Sequence, residues 1–351
     1  MLQPSNAGAL AELFTAAFRS PKKREFFQWK YFDNPAGQIV GYGAPYENRL
    51  VASHGNIPLQ IKIGDEVCLG AQSVDAMVAA EARRQGMWAR IARASYVDMD
   101  RDGLAVNYCL PSPVAKVGFV EKLGWTYLGE IPRYIKPLDV QGIVADGGMR
   151  GGVKRLLWRG AMWQAGQGAV QRSTNHIAIK PITHFDARFG RLWEQSAREF
   201  PIAVVRNAAY LNWRYIAHPQ AGQYVCLSAE KQGSLCAYAV LSLTDPHVAH
   251  LLELIVAPGA ETAAHNLLQV IVQRAQVAGA AQLQAFMLPQ YKRYLNLLRT
   301  FGFIHQTGRL TPGELGYTAP FIVRPHPATA FPVDVTHLSN WFISMGDHDY
   351  Y

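Results

Sequence analysis

Apolar positions along the chain change period in an ordered way. Residues 6–18 (NAGALAELFTAAF) and 22–32 carry them at helical spacing, and 38–45, 49–63 and 67–79 alternate between turn residues and read as three strands. Helical spacing returns at 87–101, and a short strand LAVNYC covers 104–109. A helix follows Pro111 and stops at Gly124, and a last strand pair spans 125–137. The succession then repeats. HIAIKPI opens the second series as a strand, and helices follow near 186–199 and 206–217. Strands come near 222–229, 234–243 and 248–257, then a helix near 262–278, the strand AQLQAFML and a helix at 290–301. The pattern predicts an α/β chain with two copies of one mixed-sheet domain.

Two sets of anchors support the duplication. The phrase WKYFDNPAGQ at 29–38 returns as WRYIAHPQAGQ at 213–223: Trp29, Tyr31 and Pro35 recur as Trp213, Tyr215 and Pro219, and Ala36, Gly37 and Gln38 as Ala221, Gly222 and Gln223. Further on, Leu110-Pro111 is answered by Leu288-Pro289, and Leu123-Gly124-Trp125 by Phe301-Gly302-Phe303. A repeat this long indicates whole domains rather than solenoid units. The expected organisation is a first domain at 1–138, a linker at 139–172, a second domain at 173–318 and an ordered extension at 319–351. The linker holds GIVADGGMRGG and an amphipathic segment VKRLLWRGAMWQ. The phrase itself is expected to end a helix and pack it, without a chemical role.

Composition adds limits. The chain has 351 residues, 49% hydrophobic, enough for about two cores. With Lys+Arg at 34 against Asp+Glu at 26, the net charge of +8 suits anionic ligands such as phosphates or nucleotides. Cys68, Cys109, Cys226 and Cys236 stand singly in apolar runs, which fits buried thiols in a reducing compartment and not a disulfide frame or zinc site. MLQPSNAGALAELF has no charged-then-apolar leader pattern, and no apolar run is long enough to span a bilayer, so a cytoplasmic protein without membrane insertion or metal is expected.

Chemistry concentrates in VDAMVAAEARRQGMWARIARA, residues 74–94. A strand ends at Val78, a loop carries Arg83, Arg84, Gln85 and Gly86, and a helix begins at once with Met87 and Trp88. A helix start leaves its first N–H groups unpaired in a positive field, and a glycine there lets backbone approach a ligand. Such a junction cradles a pyrophosphate, with the arginines neutralising further oxygens.

RRQGMW, residues 83–88, resembles the Q/R-x-x-G-x-G/A loop of the Gcn5-related N-acetyltransferases (GNAT), which binds the pyrophosphate of acetyl-coenzyme A. Arg83 and Gly86 match fixed positions, whereas Trp88 replaces a small residue. EKLGW at 121–125 resembles the family's closing Y-x-K-x-G-F signature, and the W-K/R-Y…N-P-A-G phrase resembles a group of these proteins found beside bacterial polysaccharide genes. The resemblance implies two tandem acyl-CoA N-acyltransferase folds, with acetyl-CoA as co-substrate and a small-molecule amine as acceptor, such as an amino sugar or cell-surface precursor. It also implies that backbone N–H groups around Met77 and Val78 hold the thioester carbonyl. The second copy departs at VAPGAETAAHNLL (256–268), where Gly259 lacks a preceding Arg or Gln and Glu261 repels phosphate, so coenzyme binding is assigned to the first copy.

The family's usual thiolate acid, a tyrosine four residues before the glycine of EKLGW, falls on Val120 and is missing. Tyr108, Asp75 and Glu253 are the substitute candidates for proton transfer. His54 is expected at a surface junction, and Asp347, His348, Asp349 and Tyr351 form an acidic end able to meet an amine or remain solvated. Two other readings stay open. One is an aminoacyl-tRNA-dependent transferase of the duplicated GNAT-like type, although an intact coenzyme loop argues against it and nucleic acid is not the expected partner. The other is a non-catalytic acyl-CoA-binding sensor.

Overall fold

The computed structural model describes residues 1–139, 177–306, 319–326 and 331–349. They form two compact units that are not contiguous in sequence. The first comprises Met1–Gly129, Phe200–Ala221 and Pro320–Trp341; the second comprises Glu130–Glu199, Gly222–Ala319 and Phe342–Tyr351. The contiguous boundaries expected near 138 and 173 therefore differ from the way the chain packs. The 139–172 linker and its amphipathic segment fall almost wholly outside the described residues.

In the first unit, β1 (Val40–Tyr46), β2 (Arg49–Ile63), β3 (Glu66–Val78) and β4 (Val106–Cys109) follow one another across the sheet. Next come β14 (Ala319–Pro325) and β5 (Thr126–Ile131), and β8 (Ile202–Val204) pairs with the end of β2. β1 to β3 are antiparallel, joined by tight turns such as Glu47-Asn48, both at positive φ. β3 and β4 are parallel. In the second unit, β9 (Tyr224–Lys231), β10 (Ser234–Ser242), β11 (Val248–Val256) and β12 (Gln282–Phe286) repeat that succession. β6 (Arg133–Pro137) and β13 (Ile304–His305) follow, and β7 (Ile177–Pro181) lies on the other edge beside β9.

Aligning the two orders exposes an exchange. β14, from the chain's end, lies between β4 and β5, while β6, from the first repeat, takes the same place between β12 and β13. The last strand pair expected over 125–137 is thus corrected: β5 and β6 belong to different sheets. The residues expected as an extension contain the strand that completes the first. Alternation identifies a strand but leaves its neighbour open, because either sheet offers the same backbone groups.

Helices α1 (Ala7–Phe18), α2 (Arg24–Phe32), α3 (Met87–Arg101) and α4 (Pro113–Leu123) cover the first sheet. α3 buries Ala89, Ala92, Tyr96 and Met99, a helical stripe that packs with Phe119, Leu123 and Trp125. Ser112 caps α4 by accepting from the Ala115 amide, and Gly124 ends it in the left-handed conformation. The second unit carries α5 (Ala187–Ser196), α7 (Glu261–Val277) and α8 (Lys292–Thr300). The short α6 (Ala208–Leu211) and the π-helical turn Asn212–Ile216 pack into the first unit.

There the repeated phrases meet. The Trp29 indole donates to the Trp213 carbonyl at 2.7 Å, the Trp213 indole donates to the Trp29 carbonyl at 3.0 Å, and the rings stack 5.2 Å apart. A buried indole N–H needs an acceptor, and each phrase supplies the other's.

Candidate functional site

β3 runs on to Val78, but its recorded pairing with β4 is confined to Ala71 with Asn107 and Gln72 with Tyr108. Past that point the two parallel strands part. After β3 the chain makes a short turn at Ala80–Ala82, Arg84 enters the left-handed region at φ 64°, and Gly86 follows at φ 69° as the cap of α3. Gly86 contributes no capping side chain, so the first-turn amides of Met87, Trp88 and Ala89 have no acceptor within the helix. A Cβ built on Gly86 meets nothing within 4 Å, which leaves the approach open. Arg83, Arg84 and Gln85 are exposed around it, and the Arg83 Nε–H donates back to the Val78 carbonyl at 3.2 Å. A positive helix end, open backbone and two arginines together make an anion cradle.

The corresponding loop of the second unit differs chemically. β11 ends at Val256, and Gly259 keeps the left-handed geometry at φ 76°. The Arg293 guanidinium lies across it, however, donating to the carbonyls of Val256 at 3.0 Å and Ala257 at 3.2 Å. It also pairs with Glu199 and with Glu261, the latter at 3.5 Å. The cation here is already bound to protein acceptors, and a carboxylate stands at the helix start.

Asp75 lies where β3 bulges against β2, at φ 48°, with the register slipping between Ser53 and Gly55. Its Oδ2 accepts from Lys30 Nζ at 2.7 Å and from the Tyr31 hydroxyl at 2.6 Å, and the Lys30 and Asp75 side chains are only 4% and 6% exposed. Lys30 and Tyr31 belong to the phrase expected to be chemically idle. These contacts pack the phrase, tying α2 to the strand next to the cradle. Glu253 lies on β11, the strand comparable to β3, but it is paired there with Val240, is fully buried and belongs to the second unit. Tyr108 is fully buried, its ring against Phe321 and Trp341. Val120 is partly buried against the α3–α4 core and brings no hydroxyl there.

His54, expected at a surface junction, is fully buried in β2. The Trp88 indole donates to its Nδ1 at 3.3 Å, which leaves the ring proton on Nε2, 3.4 Å from the Ser73 hydroxyl. Burial holds this imidazole neutral and lowers its pKa to about 3. Trp88 also meets the Phe119 ring edge-on at 5.0 Å, and a Cβ on Gly118 of α4 would stand 2.9 Å from its Cζ3. Trp88, the departure from the small residue of the motif, is thus seated by a histidine, a phenylalanine and a glycine.

The acidic end is also corrected in part. Asp347 is buried and caps its own turn, accepting from the Ser344 amide at 2.8 Å; Tyr351 lies outside the described residues. Among the described residues there is no group of three metal-ligating side chains, and no helix is long and apolar enough to cross a membrane.

Parallel strands that part beside a Gly-Arg turn at a helix start, within a mixed antiparallel sheet, define the acyltransferase frame of the GNAT class. Residues 2–128 match the acetyltransferase (GNAT) domain family. Among proteins of curated function none matches the chain by sequence. Solved structures share the fold across both repeats. A probable N-acyltransferase from Enterococcus faecalis, described as a conserved protein of unknown function, is 12% identical with a TM-score of 0.64, over 93% of this chain and 71% of that one. A GCN5-related N-acetyltransferase from Anabaena variabilis is 11% identical with a TM-score of 0.62, over 92% and 71%. N-myristoyltransferase from Saccharomyces cerevisiae, solved with bound myristoyl-CoA, is 12% identical with a TM-score of 0.59, over 93% and 79%. The chain has a tandem GNAT fold.

Proposed function

We propose that this chain is an acyl-CoA-dependent N-acyltransferase that moves an acetyl group from acetyl-CoA to the amine of a small molecule, with amino sugars and cell-surface polysaccharide precursors as the acceptor class. The observation that carries this reading is the open cap at Gly86, flanked by Arg83 and Arg84 at the point where β3 has left β4. The pyrophosphate is held by the amides of residues 86–89 and by the two arginines, with Gln85, Met87 and Trp88 shaping the turn. The thioester lies along Met77 and Val78, whose backbone polarises its carbonyl. The amine nitrogen attacks the carbonyl carbon, the C–N bond forms, the C–S bond breaks, and the sulfur leaves with the proton that the amine gives up. Asp75 orients the amine through Oδ1, since Oδ2 is taken by Lys30 and Tyr31. Much of the acceleration then comes from holding the two substrates together. Tyr108 and Glu253 have no part in this scheme. The reaction is assigned to the cytoplasm, where the four free cysteines remain thiols.

The test is calorimetric titration of the full chain with acetyl-CoA, alongside tRNA. Wild type is expected to bind acetyl-CoA in the micromolar range. Arg83→Glu with Gly86→Glu is expected to lose at least 100-fold, because it removes both charge and access. Binding of tRNA with no binding of acetyl-CoA rejects the proposal. Acetyl-CoA binding without thiol release across a broad amine panel moves the chain to the sensor reading. Unchanged affinity in the double variant shows that the cradle is elsewhere.

A further inference from the structure

Beside the Asp75 bulge the first unit gathers several positively charged side chains. Lys22, in the segment joining α1 to α2, holds its ammonium 4.7 Å from the centre of the Phe26 ring; the Lys30 ammonium lies 5.6 Å from the same ring. Lys30 is neutralised by Asp75. Lys22 is half-buried, and among the described residues no carboxylate pairs with it. Arg214, buried in the π-helical turn, and His218, whose ring meets Trp29 at 4.3 Å and Phe26 at 6.0 Å, close the group. Lys22 and Lys30 thus act on Asp75, and both of them, with Arg214, act on His218. The crowding is felt by its members: the Lys22 ammonium is held below its ordinary pKa by burial first and by Lys30 second, with Asp75 acting in the opposite sense. His218 is lowered to about 3 by burial, then by Arg214, Lys22 and Lys30.

A half-buried cation among like charges costs stability unless an anion answers it. The ring beneath Lys22 gives weak attraction and no hydrogen-bond acceptor of anionic strength. Position supplies the second argument. The bulge precedes Met77 by two residues, roughly 7 Å of strand, so the cluster borders the segment assigned to the thioester. We propose that Lys22 is the specificity residue of the acceptor site and that the acceptor is a primary amine carrying an oxyanion, a carboxylate or phosphate, which pairs with the Lys22 ammonium while Asp75 receives the amine. This rests on the acyltransferase reading. It narrows the acceptor from small amines in general to amines that bear both charges, with Lys22 and Asp75 spacing them.

The experiment uses the full chain saturated with coenzyme A and two matched probe pairs, phosphoethanolamine against ethanolamine and β-alanine against β-alaninamide, titrated by ligand-observed NMR. The member of at least one pair that carries the oxyanion is expected to bind at least tenfold more tightly, and which pair responds tells phosphate from carboxylate. Lys22→Met is expected to abolish that preference while leaving binding of the probe without the oxyanion unchanged, and Lys22→Arg to keep it. Lys22 sits on a partly exposed connecting segment, and the thermal transition of each variant reports its folding directly. No preference in wild type, or a preference that survives Lys22→Met, overturns the inference while coenzyme A still binds. Failure of coenzyme A to bind overturns the acyltransferase reading and this inference with it.

Discussion

Trp88 shows how a single departure from a motif propagates. A glycine inside an exposed helix costs about 1 kcal/mol against alanine, and Gly118 in α4 has no local reason to be there. The reason is across the core, where the Trp88 ring leaves no room for a Cβ. Gly118→Ala is therefore expected to destabilise the wild type by about 1–2 kcal/mol through overpacking. Trp88→Ala is expected to cost about 3 kcal/mol, because it opens a cavity and strips the donor from His54 Nδ1. With Trp88→Ala already present, Gly118→Ala is expected to stabilise by up to about 1 kcal/mol. Urea unfolding of the four proteins tests the change of sign, and additive effects would mean that the two sites are independent. The pattern R-R-Q-G-M-W was legible along the chain, but the seat of its last residue was not. His54, Gly118 and Phe119 are brought to Trp88 from three elements.

At the scale of elements, the strand exchange is decisive. β14 brings Phe321, Ile322 and Val323, all fully buried, to the edge of β4, and its end is tied to α3. Arg324 donates to Asp100 at 3.3 and 3.2 Å, and His326 contacts both Asp100 and Asn107. Burial works against the Asp100 charge, yet the hydrogen bonds from Arg324 and His326 outweigh it and hold its pKa below the usual carboxylate range. A chain ended at residue 318 leaves β4 and β5 without the strand between them and uncovers Tyr108. Such a chain is expected to lose its cooperative near-ultraviolet transition and to be cut rapidly by protease. A sharp transition at the wild-type temperature would mean that β14 is dispensable. The sequence shows APFIVRP to be a strand former, and helix and strand order through 131 could be read from period alone. The exchange could not, because β6 and β14 carry similar apolar patterns and only the completed sheets decide which edge each covers.

For the whole molecule, buried neutral histidines set the response to acid. Burial lowers the pKa to about 3 for His54 and His218 in the first unit, and to about 4 for His250 in the second. Only the unfolded chain, with histidines near 6.5, takes up these protons as the pH falls. Stability is thus full above about pH 6.5 and is lost below it, by about 1.4 kcal/mol per pH unit for each of the three, until the folded values are reached. Denaturant unfolding from pH 7 to pH 4.5 is expected to show this slope well before carboxylates such as Asp100 and Glu230, both lowered in the folded state, begin to protonate. A flat profile to pH 5 would show that the histidines are open to solvent.

The sequence by itself determined the helices and strands, the duplication and the Gly86 turn at the start of α3, because each rests on local spacing: a period of two or 3.6, a glycine free to turn left-handed, a helix start behind a strand. Tertiary structure alone decided which strand completes which sheet, that His54 is buried and that Lys22 has no carboxylate paired with it among the described residues. Those facts depend on residues far apart in the chain, and no local pattern encodes them. The repeated phrase lies on both sides of that division. Its recurrence announced two copies of one fold, whereas the Trp29–Trp213 embrace and the grip of Lys30 and Tyr31 on Asp75 became visible only when distant segments met.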